Sequence, residues 1–298
     1  MNAAVDLRSG KGSRDENFPV ASWLIAARHR PAILAFYDFA RTADDVADHP
    51  TASPAAKLAL LEEMRATLVG ESDADAPSRK LREVLREQGL TTQHGLDLLA
   101  AFRLDVSKQR YDDWDDLMGY CRLSAAPVGR MVLDIHGEPR SVWPASDALC
   151  AALQVINHLQ DCGEDRRNLD RVYLPERELA AANAKVQDLD APRASPQLQA
   201  AVSGLARRTL ALLVQSRPLA AAVADRRLRL EIAVIQRVAE DLATRLTTVD
   251  PLSGRTHHRK SELIRLAGSA VLRNWRAPRP TPTPSPPTPS EDPARTAP

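Results

Sequence analysis

The sequence is poor in aromatic residues, glycine and cysteine, and it carries almost no net charge. Phe, Tyr and Trp number four each among 298 residues, and glycine numbers twelve. Because sheets favour aromatic and β-branched residues while helices favour the abundant Ala, Leu, Arg and Glu, the composition predicts an all-α protein. A formal net charge of +1 gives no general attraction to nucleic acid, which we do not expect as a partner.

Further absences bear on the cellular setting. No run of about 18 apolar residues is present, and the first 20 residues lack the apolar core of a secretory signal. The cysteines Cys121, Cys150 and Cys162 are odd in number and have no C-x-x-C spacing. They are typical of reduced thiols rather than of a disulfide framework or a zinc site. We therefore expect a cytoplasmic protein, and peripheral contact with the inner membrane stays open.

Apolar residues recur with helical spacing over most of the chain. Pro50 and Pro54 end the first strong pattern, whereas Pro127 and Gly129 interrupt a later one in a way that predicts a kink rather than a terminus. The predicted helices cover about 31–48, 54–70, 76–88, 92–109, 113–126, 147–168, 195–216, 217–247 and 259–275.

These helices predict a single domain over residues 17–276. Residues 1–16 are polar, and residues 277–298 consist largely of Pro, Thr and Ser. Neither segment has the apolar content to join a core, so the sequence predicts disorder at both ends.

Three aspartates, Asp44, Asp45 and Asp48, end the first strongly periodic helix. Spacings of three and four place them on one helix face. Arg41 lies on the same stripe one turn earlier, and Tyr37 lies two turns earlier. Like charges at this spacing repel, and the negative end of the helix dipole adds to the cost. A solvated acidic helix end would explain the cluster, whereas a bound cation would offset both penalties.

A second polar stripe runs along a later helix. Asn157, Asp161 and Asp165 follow one another at intervals of four, and Gln154 precedes Asn157 by three. Apolar residues flank this stripe, which marks the helix as a core element. Carboxylates beside such neighbours are costly unless they are neutralised. This pattern favours a metal site.

Mg²⁺ fits this set of ligands, since it prefers oxygen donors and typically links one or two carboxylates to substrate phosphates. Two helices of this kind facing each other would hold two or three Mg²⁺ ions around a diphosphate. Arg41, Arg166, Arg167 and Arg171 lie near the motifs in sequence and are candidate phosphate contacts. No G-x-x-x-x-G-K-[ST] loop is present, so phosphate recognition would depend on metal and arginine.

The two motifs and the segments around them resemble the head-to-head trans-isoprenyl synthases, the family of squalene and phytoene synthases. The matching segments are ENFPVAS at 16–22, AFY at 35–37, RTADDVAD at 41–48, YCRLSAAPVGR at 120–130, NHLQDCGED at 157–165 and RVYLP at 171–175. Two acidic motifs in this order with the RVYLP segment are specific for the family. ENFPV and PVGR are more similar to its bacterial hydroxysqualene-forming branch.

The resemblance implies an isoprenoid-synthase helical bundle around a central apolar cavity. It also implies the ionisation of presqualene diphosphate and capture of the rearranged carbocation by water, giving hydroxysqualene and diphosphate. The residues implied as metal ligands are Asp44, Asp48, Asp161 and Asp165, with Asn157 assisting and Asp45 nearby. The residues implied in binding the substrate are Phe18, Tyr37, Arg41, Gln154, Asn157, Arg171 and Tyr173, of which Tyr37 and Arg41 match diphosphate contacts.

Five of the twelve aromatic residues precede the end of the first motif, namely Phe18, Trp23, Phe36, Tyr37 and Phe39. Aromatic faces stabilise carbocations, but at least half of these rings are expected to fill the core instead. No G-x-G-x-x-G fingerprint is present, so water rather than hydride from NADPH is the expected reaction partner.

Two other interpretations remain open at this point. A presqualene diphosphate or phytoene synthase would condense two prenyl diphosphates with the same metal apparatus, because cavity shape rather than motif decides the outcome. A non-catalytic helical assembly factor of the same fold would have no need of its acidic ligands. Enzymes of the same pathway are further candidate partners.

Overall fold

The computed structural model describes residues 26–254 together with residues 256, 262, 265, 266 and 268. These residues form helices and connecting turns without a strand, which confirms the all-α prediction. The helices are α1 (Arg30–Ala47), α2 (Pro54–Val69), α3 (Ala76–Glu87), α4 (Gln93–Ser107), α5 (Trp114–Ser124), α6 (Ala126–Ile135), α7 (Trp143–Leu169), α8 (Glu176–Ala181), α9 (Pro196–Ser216), α10 (Pro218–Ala222) and α11 (Arg226–Leu246).

Several predicted boundaries cannot be compared with this structure. The expected disordered segments 1–16 and 277–298, and the domain limits at 17 and 276, lie outside the described residues. The helix expected over 259–275 lies largely outside them as well. Within the described part of the chain, no helix is both long and apolar enough to cross a lipid bilayer.

Proline and capping side chains set the ends of the helices around the first acidic motif. α1 carries a proline in its first turn and ends before the Pro50 that would have interrupted it. Ser53 caps the start of α2, and its hydroxyl accepts a hydrogen bond from the backbone N–H of Ala56 at 3.3 Å. Gly70 caps the end of α2 with a φ of 89°. The acidic end of α1 is therefore followed closely by the start of α2.

The structure corrects four details of the helix prediction. The kink expected at Pro127 is wrong, because α5 ends at Ser124 and a separate helix α6 begins at Ala126, with proline in its first turn. The single helix expected over 217–247 is divided into α10 and α11 by a short loop. α7 starts earlier than predicted, and α8 was absent from the prediction.

Two hydrophobic cores organise these helices. The smaller core joins α1, α2, α3 and α4 with Met131 and Ile135 of α6. The larger core joins residues of α5 and α7 to α11 with the segment that follows α7. α1 packs on α2, α3 and α4, while α7 packs on α6, α9 and α11. The two acidic motifs thus belong to different cores, and the site lies where these cores meet.

A buried glutamate ties the segment after α6 to the start of α11. The carboxylate of Glu138 accepts hydrogen bonds from the backbone N–H groups of Ala224 and Asp225, each at 2.8 Å. Asp225 in turn accepts hydrogen bonds from the first-turn N–H groups of Arg227 and Leu228 at 2.8 and 3.0 Å. Charge-assisted hydrogen bonds of this kind are among the stronger ones in proteins.

We expect Glu138→Ala to lower the free energy of unfolding by about 2 kcal/mol, because two partly buried N–H groups lose a charged acceptor. Urea denaturation followed by circular dichroism measures the change. Glu87→Ala, at an exposed position at the end of α3, is the control and should change stability by less than about 0.5 kcal/mol. Equal unfolding midpoints for the two variants would contradict this anchoring role.

Candidate functional site

The last two turns of α1 present the first acidic motif together with its own counter-ion. Arg41 Nη1 lies 2.7 Å from Asp44 Oδ2, and Arg41 Nη2 lies 3.0 Å from Asp45 Oδ1. One guanidinium therefore contacts two carboxylates, at spacings of three and four residues. Tyr37 is half-buried one turn earlier on the same helix. The predicted stripe of Tyr37, Arg41 and the aspartates is thus present.

Arg171 connects the end of α1 to the end of α7. Its Nη1 lies 2.7 Å from Asp48 Oδ1, and its Nη2 donates to the backbone carbonyl of Ala47 at 3.3 Å. Its own backbone N–H donates to the carbonyl of Asp165 at 3.2 Å. The arginine side chain is only 8% exposed. A single buried residue therefore holds the two acidic helix ends next to each other.

A second cation reaches the same helix end. Lys57, in the first turn of α2, donates from Nζ to the carbonyl of Ala47 at 2.9 Å. Burial and then the nearby charge of Arg171 lower the pKa of Lys57, whereas Asp48 raises it. The negative end of the α1 dipole is thus met by two cations, Lys57 and Arg171.

α7 carries the second motif into the same region. Gln154, Asn157, Asp161 and Asp165 are all half-buried on this 27-residue helix. Burial, followed by repulsion from Asp161, raises the pKa of Asp165 to about 7, and Asp48 adds to the rise while Arg171 opposes it. The charge of the first motif thus acts on the second.

Asp44, on α1, also has a raised pKa. Burial and then repulsion from Asp48 raise its pKa above the ordinary value, and Arg41 opposes the rise. The side chain is still 40% exposed, so we attribute more of this rise to the neighbouring charges and less to loss of solvent. Both motifs therefore hold carboxylates that favour a proton or a cation.

Gln154 belongs to a buried polar group beside the aspartates. Its Nε2 lies 3.1 Å from Nε2 of His158, and His158 Nδ1 lies 4.0 Å from Asp165 Oδ2. The imidazole stacks on the ring of Tyr173 with centroids 3.5 Å apart. Burial and then the charge of Arg171 lower the pKa of His158 to about 3, so the ring is neutral. His158 is therefore a packed, neutral histidine.

Asp105 of α4 joins the tyrosines behind this stack. Its two carboxylate oxygens accept hydrogen bonds from the hydroxyls of Tyr120 and Tyr173, each at 3.0 Å. Burial raises the pKa of Asp105 to about 6, against the opposing effects of Arg171 and the two hydroxyls. The hydroxyl of Tyr173 is therefore engaged with Asp105, and its ring supports His158.

The structure does not gather every predicted residue at the site. Arg166 pairs with Asp170 and, at 3.3 Å, with Asp190, so in this structure its guanidinium is held by those carboxylates. Phe36 and Phe39 are buried in the smaller core, as expected for core-filling rings. Phe18 and Trp23 lie outside the described residues. Arg167 is exposed.

The aspartates fit a hard divalent cation by their chemistry, with arginines in contact with several of them. Across residues 26–254 and the few described after them, no three His, Cys, Asp or Glu side chains converge on one ion position. Arg41 and Arg171 instead contact Asp44, Asp45 and Asp48. Half-buried carboxylates that repel each other are suited to Mg²⁺, which binds oxygen donors and neutralises their charge. Metal binding would then require side-chain rotation.

Sequence reasoning alone missed Lys57 and assigned no role to Asp105. Lys57 belongs to no recognised motif, and only the path of the chain brings it to the end of α1. Asp105 forms, with Lys108, Arg110 and Tyr111, a polar patch that resembles the family pattern and that charge pairing explains equally well. No signal in the sequence identifies their partners, because these partners are distant along the chain.

Comparison with known proteins agrees with this geometry. Residues 12–262 match the family model described as squalene/phytoene synthase, so the chain belongs to the squalene/phytoene synthase family of enzymes. The hydroxysqualene synthase of Rhodopseudomonas palustris is 54% identical over 264 residues, which are 89% of this chain and 90% of the relative. That of Zymomonas mobilis is 55% identical over 269 residues, 90% of each chain.

Solved structures show the same fold. A crystal structure of a squalene synthase from Alicyclobacillus acidocaldarius matches with a TM-score of 0.68 and 34% identity, over 81% of this chain and 90% of that chain. A crystal structure of a dehydrosqualene synthase matches with a TM-score of 0.72 and 22% identity, over 84% of this chain and 88% of that chain. The family resemblance inferred from the motifs is confirmed.

We expect Arg171→Met to lower the free energy of unfolding by about 2 kcal/mol, because it leaves Asp48 and Asp165 without their shared buried cation. The loss stays below that of a fully buried pair, since the Asp48 side chain is 37% exposed. Chemical denaturation measures it. In Arg177→Met, the control, an arginine that is 77% exposed loses its pairing with Asp113, and stability should stay within about 0.5 kcal/mol. Equal losses in both variants would contradict the bridging role.

Proposed function

We propose that this protein is a hydroxysqualene synthase that converts presqualene diphosphate and water into hydroxysqualene and diphosphate. Three hydroxysqualene synthases that are 48–55% identical over about nine-tenths of the chain support this proposal most strongly. The squalene/phytoene synthase family acts on prenyl diphosphates, and the paired acidic motifs suit such a group. Plant phytoene synthases match over a smaller part of this chain, for example 58% at 33% identity.

The reaction balances without a redox cofactor. The carbon–oxygen bond to diphosphate breaks and its electron pair leaves with diphosphate. Water then adds to the rearranged carbocation and releases one proton. No hydride is consumed, so we propose that NADPH is not required.

Mg²⁺ is the proposed cofactor, as two or three ions together with the substrate diphosphate. Its proposed ligands are Asp44, Asp48, Asp161 and Asp165, with Asn157 assisting and Asp45 close by. Bound Mg²⁺ would supply positive charge to stabilise the departing diphosphate. The raised pKa values of Asp44 and Asp165 support this assignment, because neighbouring carboxylates that repel each other gain most from a cation.

The arginines are proposed to bind the substrate diphosphate. Arg41 already contacts Asp44 and Asp45, so its guanidinium lies where the diphosphate is expected. A planar guanidinium suits phosphate oxygens, which it can contact through two N–H groups. Arg171 occupies the corresponding place between Asp48 and the end of α7. The remaining proposed substrate contacts are Phe18, Tyr37, Gln154, Asn157 and Tyr173.

The proposed cellular site is the cytoplasm. The thiols of Cys121, Cys150 and Cys162 are all free, which suits a reducing compartment. Contact with the inner membrane to collect the lipid substrate, and with enzymes of the same pathway, forms part of the same proposal.

Incubation of the purified protein with Mg²⁺ and either presqualene diphosphate or farnesyl diphosphate tests the function. We expect hydroxysqualene from presqualene diphosphate, identified by mass spectrometry, and no turnover of farnesyl diphosphate alone. Condensation of farnesyl diphosphate would instead indicate a presqualene diphosphate synthase. Absence of diphosphate release from every prenyl diphosphate would favour the assembly-factor interpretation, although all five aspartates are retained.

Asp161→Ala should lower turnover by roughly 10²–10³-fold, because one group that stabilises the leaving diphosphate is removed. Diphosphate release from presqualene diphosphate measures the effect. Asp38→Ala is the matched control, since Asp38 is an exposed aspartate of α1 that pairs with Lys80. Its turnover should remain at the wild-type level. Wild-type activity in Asp161→Ala would remove this residue from the proposed site.

A further inference from the structure

Lys57 and Arg171 share one acceptor, the backbone carbonyl of Ala47. Lys57 Nζ donates to this oxygen at 2.9 Å, and Arg171 Nη2 donates to it at 3.3 Å. Lys57 belongs to α2 and Arg171 to the segment after α7, so the two cations come from different elements of the fold. Two like charges that meet on a single carbonyl repel each other unless an anion compensates them.

Asp48 supplies that compensation. Its Oδ1 lies 2.7 Å from Arg171 Nη1, and it directly follows the residue whose carbonyl both cations share. The partial negative charge at the end of α1 adds to the effect. The carboxylate in direct contact with Arg171 is therefore one that the proposed function also assigns to the metal, while Asp105 and Asp165 act on Arg171 as well.

Metal binding would change this balance. Once a divalent cation engages Asp48, less of the carboxylate charge remains for Lys57 and Arg171. Poorly compensated charges that are partly buried are costly, so the pair would then favour another anion. Diphosphate is the anion that the proposed reaction brings to the same aspartates, and a lysine ammonium is a common phosphate ligand.

We propose that Lys57 is a substrate-binding residue whose ammonium group, together with the guanidinium of Arg171, binds the diphosphate group of the prenyl diphosphate substrate. This inference rests on the proposed function, because it requires a prenyl diphosphate and a divalent metal at the two acidic motifs. It adds α2 to the elements that form the site.

Helix capping is the simpler role that Lys57 has to be distinguished from. The two roles predict different changes in the affinities for Mg²⁺ and for diphosphate when the Lys57 ammonium group is removed. A cation that binds diphosphate repels Mg²⁺ when no diphosphate is present, so its removal should tighten Mg²⁺ binding and weaken diphosphate binding. A residue that only caps α1 would misplace the aspartates when removed, and both affinities would fall together.

Calorimetric titration of the full-length protein provides the test. Mg²⁺ alone is titrated first, and inorganic diphosphate is then titrated in excess Mg²⁺. For Lys57→Met we expect diphosphate binding about tenfold weaker, the loss of one charge-assisted contact, and Mg²⁺ binding about threefold tighter. Lys57→Arg keeps the charge and should bind diphosphate within about threefold of wild type.

Lys80→Met is the matched control. Lys80 lies on α3, is 56% exposed and pairs with Asp38, which lies on α1 as the acidic motif does. This variant removes the same charge and should leave both affinities unchanged. Wild-type diphosphate affinity in Lys57→Met, or a parallel loss of both affinities, would overturn the inference. If Lys57→Met does not fold, Lys57→Gln replaces it in the test. A tenfold loss of diphosphate affinity in Lys57→Gln would support the inference, and wild-type affinity would overturn it. A wild-type protein that binds no diphosphate would instead count against the proposed function.

Discussion

The site depends on cations that offset the acidic ends of two helices. Asp44, Asp45 and Asp48 lie at the negative pole of α1, while Asp161 and Asp165 lie near that of α7. Arg41 satisfies the first pair from within α1, and Arg171 reaches Asp48 from the other side of the site. The carboxylates would otherwise force the two helix ends apart.

This electrostatic arrangement fits the division of the molecule into two cores. α1 is anchored among α2, α3 and α4, and α7 is anchored among α6, α9 and α11. Each helix is therefore held along its length by apolar contacts that do not involve the other. The acidic ends meet at the junction, where polar contacts rather than a shared apolar core connect them. Charged side chains can lie at such a junction, whereas a continuous apolar core would exclude them.

Behind the aspartates, a second polar network supports the site without contributing net positive charge. Asp105 orients the hydroxyls of Tyr120 and Tyr173, and the ring of Tyr173 in turn lies against His158. Hydrogen-bond networks that are buried in this way are rigid when all members are satisfied. Three of the four tyrosines of the chain take part in these aromatic contacts, so most of this scarce residue type is concentrated behind the site.

The all-α class, most helix boundaries and the two acidic stripes could be predicted from the sequence, because the 3.6-residue period, proline breaks and capping residues act locally. It also identified Arg41, which lies on the same helix as its partners. The packing of the helices was needed to show that Arg171 reaches Ala47 across 124 positions and that Lys57 contacts the same carbonyl. Such contacts depend on how separately formed helices pack, and no local pattern in the chain records the distance between them.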